Sequence, residues 1–423
     1  MSRPDSATLT LTHPPVGRSL GPGASPPLHI LVLVDRDWTH PQAGGTGANL
    51  RAHVRYWTDW GHRVTVMAGS YPGAVPFERD GPVTVYRRGG RKSVFPHTIA
   101  RLCTGRVPDA DVVLEIVNGI TFLTPLWLRL PHVQYVHHVH REQYIEEMGW
   151  RGRLAAFLAE TAPLRWLYRR GRFVTVSEAT ARQLTGLGVP RAAIEVNYHG
   201  PEPEDYGRGP RAPDPTLVYL GRLKRYKRIE VLFDILESVP GTVLDIVGDG
   251  EHRPILEAEI AARGLDGRVR LHGFVEHERK VELLRRAWVL VTASKAEGWG
   301  LTTLEAAACG TPTVALGVGG LAEAVEDERT GLLAPDAAGI VAQTRRILAD
   351  TELRERLGAD ALLRAESLGW RHTVSRTLAV LQEQLASAPG GRPVAFARVP
   401  VPAPAVADGP DGAPVAPASA DGK

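Results

Sequence analysis

The feature that most constrains this chain is one alternation that occurs twice. Short runs rich in Val, Ile and Leu alternate with segments of helical spacing, which is the pattern of βαβ units and parallel sheets. In the first half the runs are HILVLV (29–34), RVTVMA (63–68), VTVYR (83–87), DVVLEIV (111–117), VQYVHH (133–138), FVTVS (173–177) and IEVNY (194–198). In the second half they are TLVYL (216–220), TVLDIV (242–247), RVRLHG (268–273), WVLVTA (288–293) and TVALG (313–317). Between the two sets, PEPEDYGRGPRAPDP (201–215) carries Pro, Gly and charge with little to bury. This predicts two doubly wound α/β domains, 28–200 and 216–369, joined by a linker at 201–215. A length of 423 residues fits two cores better than one.

The ends carry a different composition. Residues 1–27 and 388–423 are biased to Pro, Gly, Ala and Ser and read as disordered tails. Residues 370–387, which include RHTVSRTLAVLQEQL, are apolar at helical spacing. Cys103 and Cys309 form no metal or disulfide pattern and read as packing residues in a reducing compartment. The N-terminus has no basic region followed by an apolar run, and no apolar stretch is long enough to span a bilayer. The expected location is cytoplasmic, with peripheral contact at the inner face of the membrane left open.

Ligands of open α/β sheets bind beyond the carboxyl ends of the strands, so the residues after each run carry the functional reading. After the first run, Gly44, Gly45 and Gly47 precede a helix, and such a turn serves either as a phosphate cradle or as a plain tight turn. Leu50 stands where the third glycine of a dinucleotide fingerprint belongs, which argues against a nicotinamide cofactor. After TLVYL, Gly221 permits a close turn, and Arg222, Lys224, Arg225, Lys227 and Arg228 follow within seven positions. Lys224, Arg225 and Arg228 read as a solvated helix start. Arg222 follows the strand and its glycine directly, where a guanidinium suits a pyrophosphate.

The stretch AEGWGLTTLEAAACGTP (296–312) holds two acids, Glu297 and Glu305. A glycosidase pair would flank a sugar from opposite sides. Here Glu297 falls in a loop and Glu305 about one turn into the next helix, so the two need not face each other. The pattern suits binding: Gly298 and Gly300 admit a ligand to backbone N–H groups, the helix N-terminus favours a phosphate, and each Glu accepts from sugar hydroxyls. Thr302 and Thr303 read as caps of that helix.

Together, the E-x7-E spacing, GRLKRYKR, LDIVGDG, LHGFV, SKAEGWGLTTLEAAACGTPTVA and GGLAEAVEDERTGLLAP resemble the family 4 retaining glycosyltransferases of the GT-B fold. The likeness is dense over 216–335. It is looser over 29–200, where GGTG, GHRVTV, VSEAT and His137, six positions after Pro131, carry it. The resemblance implies a nucleotide diphosphate sugar as donor, a hydroxyl acceptor and no metal or other cofactor. It implies that Arg222 and Lys227 neutralise the leaving diphosphate, that Glu297 holds donor-sugar hydroxyls and that Glu305 holds the ribose. Gly221, Gly298, Trp299, Gly300 and Leu301 would complete the donor site, Gly44 and Gly45 would close over the phosphates, and His137 would project beside the sugar. The acceptor would bind mainly to the N-terminal domain, and the helix at 370–387 would cross back to that domain.

Some features point elsewhere. Asp35-Arg36-Asp37 mimics the D-x-D metal motif of another glycosyltransferase fold but lies at the end of the first strand of a GT-B-like domain. His137, His138 and His140 could suggest zinc, yet no cysteine is near and adjacent strand residues point opposite ways. Asn197-Tyr198-His199-Gly200 departs from the Asn-Gly that the family often carries, which puts any role for His199 in doubt. A 2-epimerase, a phosphorylase and a non-catalytic sugar-nucleotide sensor are the competing readings. The dense 295–312 run, the missing context for a Schiff-base lysine and the intact acidic and basic site residues weigh against them in turn.

Charge is divided unevenly between the domains. Over 28–200, 21 Lys and Arg face 14 Asp and Glu; over 216–387, 22 face 25. The segment WRGRLAAFLAETAPLRWLYRRGRF (150–173) mixes large apolar residues with six arginines. It reads either as an interfacial helix on anionic lipid or, more plainly, as a helix with one buried and one solvated face. Nucleic acid is a poor partner, because no reader motif accompanies the charge.

Overall fold

The computed structural model describes residues 26–104 and 110–388. The predicted tails therefore lie outside the described residues, apart from residues 26, 27 and 388. Two sheets account for the alternation. The first comprises β1 (His29–Leu33), β2 (Arg63–Ala68), β3 (Phe77–Asp80), β4 (Val83–Arg87), β5 (Val112–Val117), β6 (His132–Val136), β7 (Arg172–Thr175) and β8 (Ile194–Val196). Its order is β3-β4-β2-β1-β5-β6-β7-β8, parallel throughout except for the antiparallel β3–β4 edge. The second comprises β9 (Thr216–Leu220), β10 (Val243–Val247), β11 (Val269–Gly273), β12 (Val289–Thr292), β13 (Thr313–Leu316) and β14 (Gly331–Ala334). Its order is β11-β10-β9-β12-β13-β14, all parallel.

Helices cover both faces of a parallel sheet, so its central strands are apolar without alternation. β1 shows this, with all five of its residues buried. Two strands were not expected from the sequence. β3 reads FERD and is an exposed edge strand, so no burial shapes its composition. β14 reads GLLA, too short for a period to register, and it extends the sheet by pairing with β13.

The helix Trp370–Ala386 crosses back onto the first sheet. Val374, Leu378 and Leu381 share its core with Val54 and Trp57 of the helix Gly44–Asp59. Thr377 Oγ1 meets His53 Nε2 at 2.9 Å. The same apolar cluster takes in Trp299 and Leu304, so the two sheets are joined by packed side chains. Residues 201–215 are pinned at both ends of their course. Glu202 accepts from Arg55 (2.6 Å) and Tyr56 (2.8 Å), while Arg211 donates to the carbonyl oxygen of Ala287 (2.7 Å) and to Thr311 Oγ1 (2.5 Å). Among the described residues, no helix is long and apolar enough to cross a membrane.

Candidate active site

Parallel strands send all their carboxyl ends one way, and the two sheets bring those ends together near residue 298. From β9 the chain turns at Gly221, whose carbonyl is approached so closely that a Cβ on Gly248 would lie 2.0 Å from its oxygen. Arg222 follows, exposed, and among the described residues its guanidinium has no hydrogen-bond or ion-pair partner. A short 3-10 turn, Arg225–Lys227, then delivers a largely buried Lys227 to Glu297, with which it forms an ion pair. The Lys295 amide donates to the Tyr226 carbonyl at 3.0 Å and ties the turn to the loop that carries Glu297.

That loop is held from the other side by 319–320. The Gly320 amide donates to the Glu297 carbonyl at 2.8 Å, and a Cβ on Gly320 would lie 2.2 Å from the Gly298 carbonyl oxygen. Across the cleft, the carbonyl of His137 abuts Gly298, and the His138 side chain borders the same spot. Trp299 is a cross-domain strut: its Nε1 donates to the His199 carbonyl at 2.6 Å and its ring stacks on Tyr198 at 4.6 Å. The indole is thus occupied, which leaves only the backbone of Trp299 for a ligand.

Gly300 (φ +116°) starts the helix Leu301–Ala308. Its left-handed conformation suits glycine and presents its carbonyl to Thr303 Oγ1 at 2.7 Å. This corrects the expected capping by Thr302 and Thr303. The Thr303 hydroxyl donates to a carbonyl rather than accepting from an N–H, and no side chain caps the helix start. The Thr303 amide donates to the Gly300 carbonyl at 2.9 Å, and the amides before it face the loop end. Glu305 lies farther along, where Lys280 (2.6 Å) and the Tyr206 hydroxyl (2.7 Å) both donate to its Oε1.

Burial pushes His137 and His138 each down to about 3, so both are uncharged near neutral pH; neighbouring imidazoles and, for His138, the charge of Lys227 push the same way. The His137 Nε2 is buried and among the described residues has no hydrogen-bond partner. The His140 ring meets that of His138 edge on at 5.1 Å, and the His140 amide donates to the buried Glu160 at 2.9 Å. His199 stacks on Trp370 at 4.8 Å and lends only its carbonyl to the site's frame. In the D-x-D look-alike, Asp37 accepts from Arg87 Nε at 2.5 Å and Asp35 pairs with Arg36 at 2.9 Å. Among the described residues no group of three or more His, Cys, Asp and Glu could hold a metal ion.

Gly44 and Gly45 are exposed at the start of a 16-residue helix, with no atom within 4 Å of a Cβ on either. They are therefore open to solvent and free of close packing. On the same edge, where β2 and β4 end, Met67, Phe77, Tyr86, Arg88, His97 and Arg101 line a cavity of about 380 Å³. The Arg101 guanidinium lies 4.2 Å from the Tyr86 ring centroid, and its Nε is buried without a hydrogen-bond partner among the described residues.

Sequence reasoning overlooked Lys280, Tyr206 and Glu323. Glu323 accepts from the amides of Glu178 (2.7 Å) and Ala179 (2.6 Å), which open a helix of the first domain, and from the Tyr198 hydroxyl (3.1 Å). An acid at the fifth position of GGLAEAV offers no local signal of a partner so far away along the chain.

Comparison with known proteins bears on the whole arrangement. The family described as glycosyl transferases group 1 matches residues 206–364, and the one described as Glycosyltransferase Family 4 matches residues 43–205. The chain belongs to glycosyltransferase family 4. Over 213 residues this family 4 chain is 33% identical to a D-inositol 3-phosphate glycosyltransferase of Jonesia denitrificans, covering 46% of the chain and 50% of that protein. Over 227 residues it is 34% identical to a glycogen synthase of Mycobacterium tuberculosis, covering 51% and 55%. The chain thus spans about half the length of the curated relatives it matches. Among solved structures, a sucrose-phosphate synthase from Thermosynechococcus elongatus matches 86% of the chain and all of its own (TM-score 0.74, 22% identity). Anabaena HepE in complex with UDP-glucose matches 85% and all of its own (TM-score 0.66, 20% identity). The fold is GT-B, two parallel α/β domains facing one cleft.

Proposed function

We propose that this family 4 chain is a metal-independent, retaining glycosyltransferase that moves a sugar from a nucleotide diphosphate sugar to a hydroxyl acceptor. The observation that carries this reading is the Lys227–Glu297 ion pair, held opposite His137 and His138 at the start of the helix Leu301–Ala308. Breaking the anomeric C–O bond builds positive charge on the sugar and negative charge on the departing diphosphate. Fixed cations at the leaving group therefore supply the main electrostatic stabilisation. Arg222, unpartnered, and Lys227 would take the diphosphate, with the amides of Gly298 to Leu301 on its oxygens and those of Gly44 and Gly45 closing from the first domain.

Glu297 would trade its bond to Lys227 for donor-sugar hydroxyls, and Glu305 would accept from the ribose. A neutral His137 would meet the sugar from across the cleft. Among the described residues none is assigned as a nucleophile, so the acceptor would enter on the face the nucleotide leaves and pass its proton to a phosphate oxygen, retaining the anomeric configuration. Closure of the domains would keep water from the donor. The cavity at the ends of β2 and β4 would receive the acceptor, Arg88 and Arg101 in its lining favouring one that bears negative charge.

UDP-sugars are the first donors to test, because a solved neighbour holds UDP-glucose. Nucleotide release from UDP-, GDP-, ADP- and dTDP-sugars, with EDTA present and with a panel of acceptors, is expected for one donor and is expected to fall about a hundredfold or more in Arg222→Ala and Glu297→Ala. Release that depends on a divalent metal, or that both variants retain, would overturn the reading.

A further inference from the structure

We infer that residues 148–170 form a docking surface for an anionic lipid bilayer. The helix Arg141–Ala156 is broken at Gly149 (φ +57°, ψ −133°), and two π-helical segments, Phe157–Thr161 and Pro163–Leu167, follow it. Past the break, Trp150 is 73% exposed, Leu158 61% and Trp166 58%, and Met148, Leu154 and Phe157 are exposed with them. Positions 150, 154, 157 and 158 recur at the spacing of one helix face. Phe157 and Trp166 meet edge to face at 5.7 Å, which joins the two π-helical segments into one apolar ridge.

The segment does bury one face, with Ala156, Leu164 and Tyr168 turned to the core beside Glu160, but the ridge stands on the other, solvated side, which the plainer reading left to the arginines.

Charge selects the occupant. Arg151, Arg153, Arg165, Arg169 and Arg170 are all exposed around the ridge. The single acid in 150–173 is Glu160, which is buried against His140. Glu142, Glu146 and Glu147 precede the break at Gly149. Aromatic and aliphatic side chains ringed by arginines, with no exposed acid among them, match the headgroup region of an anionic leaflet. There the rings rest at the interface and each cation adds attraction.

Co-sedimentation of the full chain with phosphatidylcholine vesicles, with and without phosphatidylglycerol, tests this with no donor or acceptor, so its outcome is independent of the transfer assay. Binding is expected only to the anionic vesicles and is expected to weaken in high salt. Trp150→Ala with Trp166→Ala, and separately Arg165→Glu with Arg169→Glu, should each lower the partition coefficient about tenfold or more while the far-UV spectrum stays unchanged. A second readout needs no variant: tryptophan emission of the wild type should shift to the blue on anionic vesicles and be quenched by brominated lipid. Absence of binding to anionic vesicles, equal binding by both variants, or a Trp150- and Trp166-dependent dimer that ignores vesicles would each overturn the inference.

Discussion

The backbone of Gly298 lies against the carbonyl of His137, so that a Cβ built on Gly298 would stand 2.2 Å from that oxygen. These residues come from different sheets, one from the loop after β12 and the other from the end of β6. The glycine here is a matter of space rather than of φ, because Gly298 is not among the positive-φ residues. Replacing Gly298 with alanine should therefore push the two domains apart at the sugar position. The expected outcome is a fall of at least about tenfold in kcat/KM for transfer with little change in the far-UV spectrum, and wild-type turnover in Gly298→Ala would show that the contact does not matter to catalysis.

The Lys227–Glu297 pair gives a second prediction. Removing one member of a largely buried pair leaves the other charge uncompensated, so Lys227→Ala should lose both leaving-group stabilisation and the position of Glu297. A fall in kcat of about a hundredfold or more is expected. Lys227→Arg keeps the charge and should recover part of it. If Lys227→Ala turns over donor at the wild-type rate, the pair is structural only.

Much of this frame was legible in the sequence, for identifiable reasons. Apolar runs such as HILVL and TLVYL belong to strands buried on both faces, so composition alone marks them, and the glycines at 221, 298 and 300 mark places where backbones approach or turn. What stayed hidden depends on partners distant in sequence. Glu305 could be placed on its helix, but its bonds to Tyr206 and Lys280 span 99 and 25 positions. Trp299 stood inside a motif whose neighbours suggest a ligand, yet its indole bonds to the His199 carbonyl 100 positions away. The edge strand β3 escaped because its exposed surface imposes no period on its residues, whereas 150–173 showed its mix of large apolar residues and arginines but not which of them face outward.

Trp299 yields a prediction that separates strut from ligand contact. Trp299→Phe keeps a ring to stack on Tyr198 but leaves the buried His199 carbonyl without its donor. A loss of about 1–3 kcal/mol in unfolding free energy is expected, with donor KM changed less than twofold or so. A large rise in donor KM without a stability change would instead assign the indole to the donor.

Glu323 holds the first domain from the second by accepting two amides at the start of the helix Glu178–Gly186. Glu323→Ala removes both bonds and an acidic group from a helix N-terminus, for an expected cost of about 1–2 kcal/mol. Because the bonds cross between domains, the loss should also appear as a more open form in small-angle scattering. A variant as stable and as compact as the wild type would show that the clamp is dispensable.

Buried histidines set the acid limit. His53 is 1% exposed and burial pushes it down to about 4, while His137 and His138 lie at about 3. In each case the folded value falls below the ordinary value of 6.5. The unfolded chain therefore binds more protons between the folded value and 6.5, and stability rises with pH across that window. Above 6.5 the contribution is fully present, and it is lost progressively as pH falls toward 4 for His53 and 3 for the other two. For His53 alone the loss amounts to about 3 kcal/mol. Denaturant unfolding from pH 7 to 4 should show this decline, and His53→Gln, whose side-chain amide does not titrate, should flatten it. A stability that is level from pH 7 to 4 would mean that these imidazoles take up protons without cost, which their burial does not allow.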